Sequence, residues 1–176
     1  MIFPRKYNDK ETDLILSKLT VIIDSREKVN THITSQFDKA NIKHEVRKLN
    51  HGDYSFIIPP IPELNIYEEM SFVDHISIER KSSLDEIAGN ITKDRERFRC
   101  EFERHKGLMI LLIETNTYAD IFNHNYQSKL TPQSFIGTLH SWSTKYNVPF
   151  VFINKEYVAQ YIYFTFYYYL RYLLKL

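Results

Sequence analysis

Two short stretches hold the residues best suited to chemistry: "HGDYSF" (51–56) and "SIERKSSLDE" (77–86). The second continues an apolar, strand-like run and then sets Glu79, Arg80 and Lys81 side by side. Three successive charges at the end of a buried strand need partners or water. Side chains two apart on a strand share a face, so Glu79 and Lys81 point one way, Ile78 and Arg80 the other. If the strand-like "DYSFII" lies alongside, Asp53 approaches the first face, and two carboxylates and an ammonium converge. That set suits phosphodiester hydrolysis. Mg²⁺ commonly takes one or two carboxylates and fills its octahedron with water and phosphate oxygens. A divalent ion brings water into the nucleophilic range near neutral pH, and Lys81 then orients that water or offsets growing negative charge. Taken separately, the same residues have plainer uses. Glu-x-Lys on a solvated edge strand is a cross-pair worth little, and an aspartate after glycine is a common turn residue.

The rest of the chain narrows the alternatives. Its 176 residues, 43% hydrophobic and 26% charged, suit one globular domain spanning 1–176. A net charge of +1 is too even for nucleic acid held by electrostatics alone. A nucleic-acid partner then needs local clusters, bound cations or a second protein. The lone Cys100 excludes an intrachain disulfide and a cysteine-based zinc cage. The opening "MIFPRKYNDKETD" lacks the apolar core of a signal peptide, so a reducing, cytoplasmic setting is expected. Gly52, Gly89, Gly107 and Gly137 are too dispersed for a phosphate-cradling loop, which argues against ATPases, NAD enzymes and any nucleotide cofactor. His124, in "FNHNYQ", has no companion ligands upstream and reads as a loop residue. The closing "YVAQYIYFTFYYYLRYLLKL" is interrupted by Gln160 and Arg171 and rich in tyrosine. It reads as a packed or interfacial helix, with no membrane span.

Strands are predicted at 19–27, 43–50, 53–58, 75–81, 108–114 and 149–154, with His51-Gly52 as a turn. Helices are predicted at 30–41, from the Ser83–Glu86 capping box onward, through "KDRERFRCEFERHK" (93–106), and from Thr131-Pro132. Gly89-Asn90 is expected to bend or break the second of these. Phe135, Leu139, Trp142 and Tyr146 line one side of the helix after Pro132, so Trp142 is a core residue. The alternation predicts an α/β fold: a mixed central sheet flanked by helices, with a core at about 19–154 and a C-terminal helix at about 156–176. On that last helix Ile162, Phe166, Leu170 and Leu173 form a stripe, while Tyr163, Phe164, Tyr167 and Leu174 leave little polar surface. A helix apolar all round is buried or paired, and a homodimer contact is preferred over packing within one chain.

Five motifs in order, "IIDSRE", "GDY", "IERKSSLDE", "RERF" and "LLIE", resemble the nuclease domain of the XPF-type structure-specific endonucleases over residues 20–154. The resemblance implies a restriction-endonuclease-like fold and Mg²⁺- or Mn²⁺-dependent cleavage of DNA near junctions, flaps or forks, in repair or recombination. Carried over by motif, Asp53 and Glu79 are metal ligands and Lys81 the catalytic lysine. Asp24, Arg26 and Glu27 match a first acidic motif near the metal, with Asp24 and Glu27 supporting catalysis. Arg80 lies inside the ERK triplet, Asp85 and Arg97 match positions that brace the site or approach phosphates, and Glu114 is the acidic end of "LIE". Plainer roles stand beside these. Arg97 and Glu101 are spaced as a surface helix pair, Asp85 complements a helix N-terminus, and Glu114 caps a strand end. Two departures are visible: Glu101 stands where the family often has glutamine, and no tandem helix-hairpin-helix module follows. A small stand-alone nuclease of phage or mobile-element type is the expectation. The competing class is a non-catalytic DNA-binding recombination or repair accessory protein, against which the intact Asp53, Glu79 and Lys81 argue. An RNA-directed nuclease is a third reading.

Overall fold

The computed structural model describes residues 3, 5–115 and 117–176, so Met1, Ile2 and Pro4 of the opening stretch lie outside the described residues. A helix not foreseen from the sequence comes first, α1 (Asp9–Ser17). The Asn8 side chain accepts from the Glu11 amide at 3.0 Å, and Glu11 accepts from the Asn8 amide at 2.9 Å, a reciprocal cap. Next come β1 (Thr20–Asp24), α2 (Thr31–Lys39), β2 (His44–Arg47), β3 (Tyr54–Ile58), the short β4 (Met70–Ser71) and β5 (Ile76–Lys81). Helices α3 (Leu84–Thr92) and α4 (Arg95–Arg104) lead to β6 (Leu108–Glu114). The chain then runs through α5 (Ala119–Phe122), α6 (Pro132–Tyr146), β7 (Phe150–Ile153) and α7 (Val158–Lys175).

The strands form one mixed sheet in the order β2-β1-β3-β5-β6-β7, with β4 beside β3. β1 pairs antiparallel with β3 and β3 with β5, whereas β5, β6 and β7 run parallel. The expected mixed central sheet is therefore present. β2 and β3 sit on opposite sides of β1, so the turn at His51-Gly52 crosses a strand end and closes no hairpin. Gly52 has φ +65°, and a Cβ there would lie 2.9 Å from the Ser77 Cβ, so both the backbone and the space demand glycine.

Alternation along the strands divides the core in two. Ile110 and Leu112 of β6 face α1, α2 and α7, where Ile15, Ile33, Phe37 and Ile162 are buried. Met109, Leu111 and Ile113 face α3 to α6, against Ile87, Phe98, Phe135 and Trp142. α3 runs unbroken through Gly89-Asn90, contrary to expectation. Nothing lies within 4 Å of a Cβ at Gly89, so this glycine costs only its helix propensity. The actual break falls at Lys93-Asp94, between α3 and α4.

The C-terminal helix corrects a larger expectation. Ile162, Phe166 and Leu170 are fully buried, with Leu174 rather than Leu173 as the fourth member. Phe166 meets Phe56 at 5.4 Å, and Phe56 stacks on Phe72 at 4.3 Å. Packing within one chain therefore accounts for the stripe, and the core extends past 19–154 to take in both α1 and α7. Among the described residues no helix is long and apolar enough to cross a membrane. Phe166→Ala is expected to cost about 3–5 kcal/mol of unfolding free energy in urea titration. Tyr172→Ala, at an exposed position on the same helix, should stay within about 0.5 kcal/mol.

Candidate active site

Asp53 is fixed by backbone bonds to the strands on both sides. Its amide donates to Ile78 O at 2.9 Å, and its carbonyl accepts from the Asp24 amide at 2.8 Å. The Arg80 amide donates to Asp53 Oδ2 at 2.8 Å. The side chain thus lies against the end of β5, where Glu79 and Lys81 share the face toward α4. Lys81 Nζ donates to Glu79 Oε1 at 2.7 Å and lies 3.7 Å from Glu86 Oε1. These residues line one cleft of about 280 Å³. The structure brings together Asp53, Glu79 and Lys81 as the spacing predicts.

The opposite face of β5 holds a buried ion network. Arg80 donates through Nε to Glu114 Oε1 at 2.6 Å, and through Nη1 to Glu27 Oε1 at 2.8 Å and Val29 O at 3.1 Å. His32 Nε2 lies 2.9 Å from the same Glu114 oxygen. Arg80 is only 4% exposed, so it braces the site and does not reach for a ligand. Glu27 lines the cleft as well as this network. Its carboxyl is held above the usual range by burial, which the Arg80 charge only partly opposes.

Other expected site residues are placed elsewhere. Asp24 is fully buried and outside the cleft lining. Its oxygens accept from the Arg26 amide at 2.8 Å, from Arg26 Nη2 at 2.6 Å and from the Leu49 amide at 3.3 Å. Burial pushes its carboxyl up, but the Arg26 bonds outweigh that and hold it below the ordinary range. Asp24 therefore aims Arg26 into the cleft and offers no free oxygen of its own. Asp85 also points away, its Oδ1 accepting from the amides of Gln127 at 2.7 Å and Ser128 at 3.2 Å, so it ties down the loop before α6. Glu114 sits behind Arg80, outside the lining. Arg97 and Glu101 do both jobs: they line the cleft and pair across one turn of α4 at 3.9 Å. Burial, and then the Glu79 charge, raise the Glu101 carboxyl.

Sequence reasoning missed Asn50, His51, Glu86 and Arg104 in the lining. Arg104 was legible, being one helical turn beyond Glu101 on the face that carries Arg97. The sequence marks Glu86 only as half of a capping box. Ser83 does accept from the Glu86 amide at 3.1 Å, but the Glu86 carboxylate bonds the Ser82 amide and hydroxyl at 2.8 and 2.7 Å, which leaves it at the cleft wall.

The electrostatics identify where a cation fits. Burial, then the neighbouring Glu79 charge, push the Asp53 carboxyl well above its ordinary range, with Lys81 opposing. Burial works against the Lys81 ammonium, but Glu79's charge and hydrogen bond prevail, so Lys81 stays protonated. Among the described residues Asp53 Oδ1 and Glu79 Oε2 take no hydrogen bond. No three His, Cys, Asp or Glu side chains among them converge into a ready-made cage. Two free carboxylate oxygens in a repulsive pair fit Mg²⁺ or Mn²⁺, which complete their shells with water and phosphate.

A family model described as "ERCC4 domain" matches residues 23–165. XPF from Aeropyrum pernix superposes with a TM-score of 0.63 at 17% identity, covering 88% of this chain and 66% of that one. The structure of the same protein in complex with DNA gives a TM-score of 0.58 at 16% identity, covering 88% and 64%. At such identities the likeness is one of fold, and this chain spans about two thirds of theirs. No curated protein sequence matches it.

The raised Asp53 carboxyl has a consequence for stability. In the unfolded chain an aspartate ionises near pH 3.9, whereas folded Asp53 keeps its proton to higher pH. The folded state then binds the extra proton, so stability falls as pH rises through the window between the two values. Asp53→Asn retains the acceptor for the Arg80 amide and removes that loss. By calorimetry it should melt above the parent at pH 8 and level with it near pH 4.

Proposed function

The chain belongs to the ERCC4-domain family, and from that premise we propose that it is a divalent-metal-dependent DNA endonuclease acting on branched or junction DNA in repair or recombination. The observation that carries this reading is the meeting of Asp53 and Glu79, each with an unengaged oxygen, beside the Lys81 ammonium in an open cleft. Charge balance supports it. Glu27, Asp53, Glu79, Glu86 and Glu101 line the cleft on the acidic side. Arg26, Arg80, Lys81, Arg97 and Arg104 match them in number, so the lining is formally neutral. A neutral cleft does not draw a polyanion, and one with a divalent cation held by Asp53 and Glu79 does.

Each side chain then has a task. Asp53 and Glu79 hold the cation. Bound there, Mg²⁺ or Mn²⁺ supplies positive charge against the phosphate and acidifies water. Lys81, already protonated, accepts no proton; it spends one N–H on Glu79 and keeps two to meet negative charge developing on the phosphate. Arg26, Arg97 and Arg104 flank the cleft and contact neighbouring phosphates of the bent or branched strand. Glu27, Glu114 and Arg80 keep the end of β5 in place.

A homodimer completes the reading. β7 ends the sheet, and aromatics flank it on both sides: Phe122 by α5, and Tyr157, Phe164 and Tyr168 by α7, each at least half exposed. Apolar surface concentrated along one free strand edge marks an interface, and a second copy of the same edge is self-complementary.

Incubation of the purified chain with flap, fork, Holliday-junction and linear duplex oligonucleotides, under Mg²⁺, Mn²⁺ or EDTA, tests the enzyme. Cutting of a branched substrate that stops with EDTA is expected. Asp53→Ala should slow it on the order of a hundredfold or more, the scale of losing one preorganised electrostatic group. Metal-independent binding with no cutting by either protein would transfer the function to the accessory class. For the dimer, sedimentation equilibrium of a Phe122→Glu/Tyr168→Glu variant should show at least about tenfold weaker association, roughly 1.4 kcal/mol. A parent protein that sediments as a monomer at all concentrations sinks the pairing.

A further inference from the structure

Lys81 has a third neighbour besides its two carboxylates. Its Nζ lies 4.7 Å from the centroid of the Phe98 ring. Phe98 belongs to α4 and is 2% exposed. Phe102 packs beside that ring at 4.6 Å, and Trp142 of α6 meets it nearly edge-on at 5.3 Å. On the same assembly the Arg95 guanidinium lies 5.8 Å from the Trp142 ring. The ring thus has little freedom to turn away from the ammonium. An aromatic face carries partial negative charge, and it attracts a cation most strongly where water is excluded. The Lys81 side chain is only 9% exposed, so this contact is made in such a place.

We propose that Phe98 is a positioning residue for Lys81, holding the ammonium at the cleft by a cation–π contact. Without that face, two carboxylates compete for the whole ammonium. Full collapse onto Glu79 engages Oε2, the oxygen left for a cation, along with Oε1, and a swing to Glu86 carries the charge toward the cleft wall. With it, Lys81 spends one N–H on Glu79 and stays between the two acids. α4 thereby does more than wall the cleft: its seating on the core through Phe98 and Phe102 is transmitted to the one cation on the reacting face of β5. The consequence for cleavage rests on the nuclease reading, whereas the seat itself does not.

The test uses the full chain carrying 3,4,5-trifluorophenylalanine at position 98, which keeps ring shape and drains charge from its face, beside Phe98→Tyr, which keeps the face. In the metal-free parent the Lys81 ε-methylene protons should resonate upfield through the ring current. The trifluoro protein should lose much of that shift at an unchanged melting temperature, and Phe98→Tyr should retain it. In cleavage assays with Mg²⁺ the trifluoro protein should show kcat lowered about tenfold with KM unchanged, and Phe98→Tyr should stay within about twofold, the scale of a desolvated cation–π contact. An unshifted ε-methylene in the parent overturns the seat. A trifluoro protein with the parent's kcat overturns the positioning role. Should the parent cut no DNA at all, the nuclease reading falls and the proton shift still decides the seat.

Discussion

Arg80 is the residue on which the rest of the site depends. Its guanidinium joins Glu27, just past β1, to Glu114 at the end of β6, and its amide holds the Asp53 carboxylate. One residue therefore binds three segments that meet only in the folded sheet. Because strand side chains alternate, anchoring Arg80 on one face forces Glu79 and Lys81 onto the other. A buried ion pair adds little net stability against an apolar replacement, but removing one partner strands charge in the interior at a cost of roughly 3–5 kcal/mol. The network is thus better understood as a device for registration than as a source of stability. Its carboxylates cannot relax, and neither can the end of β5.

That rigidity sustains an unfavourable arrangement on the facing side. Asp53 is buried beside Glu79, and burial together with the Glu79 charge works against the ionised form of Asp53. Left to relax, two such groups would separate or one would turn to water. Backbone bonds to Ile78 and Arg80 prevent Asp53 from doing either. The fold holds an electrostatically unfavourable pair in place, the pattern expected of a functional site fixed by its surroundings. Gly52 belongs to the same construction. With φ +65° and Ser77 where a Cβ would go, it brings the chain close enough to β5 for Asp53 to reach its place.

What the sequence disclosed follows from the range of each interaction. Strand periodicity assigned Glu79 and Lys81 to one face and Arg80 to the other, because a period of two residues is a local property. All strands but the two-residue β4 were legible for the same reason, as was Ser83 as a helix cap. Pairings across the sheet were not. Nothing local says that β2 and β3 flank β1, and hence that Asp24 turns to Arg26 and Leu49 and away from the cleft. α1 escaped notice because its apolar residues are few, and its start is set by a cap between Asn8 and Glu11. The C-terminal helix was legible only in part. Its aromatic surface suggested a partner chain, yet its most regular stripe is spent on the sheet of its own chain, which composition alone does not distinguish.

The cleft combines two kinds of construction. Its floor comes from strand ends, where Asp53 and Glu79 are placed by sheet register and backbone bonds. Its wall comes from α4, which presents Arg97, Glu101 and Arg104 to the cleft and buries Phe98 and Phe102 on the other side. The N-terminus of α4 has no side-chain cap, Arg104 Nε donates to Cys100 O at 3.0 Å in its last turn, and its ion pairs, Arg97 with Glu101 and Arg99 with Glu96 and Glu103, run along its own surface. Phe98 and Phe102 seat the wall in the core cluster that Met109, Leu111 and Ile113 of β6 share. Register fixes the strand-end carboxylates closely, whereas the long side chains of α4 have reach across the cleft. Lys81 is where the two meet: its backbone belongs to the floor, its ammonium rests against the wall, and its position depends on both.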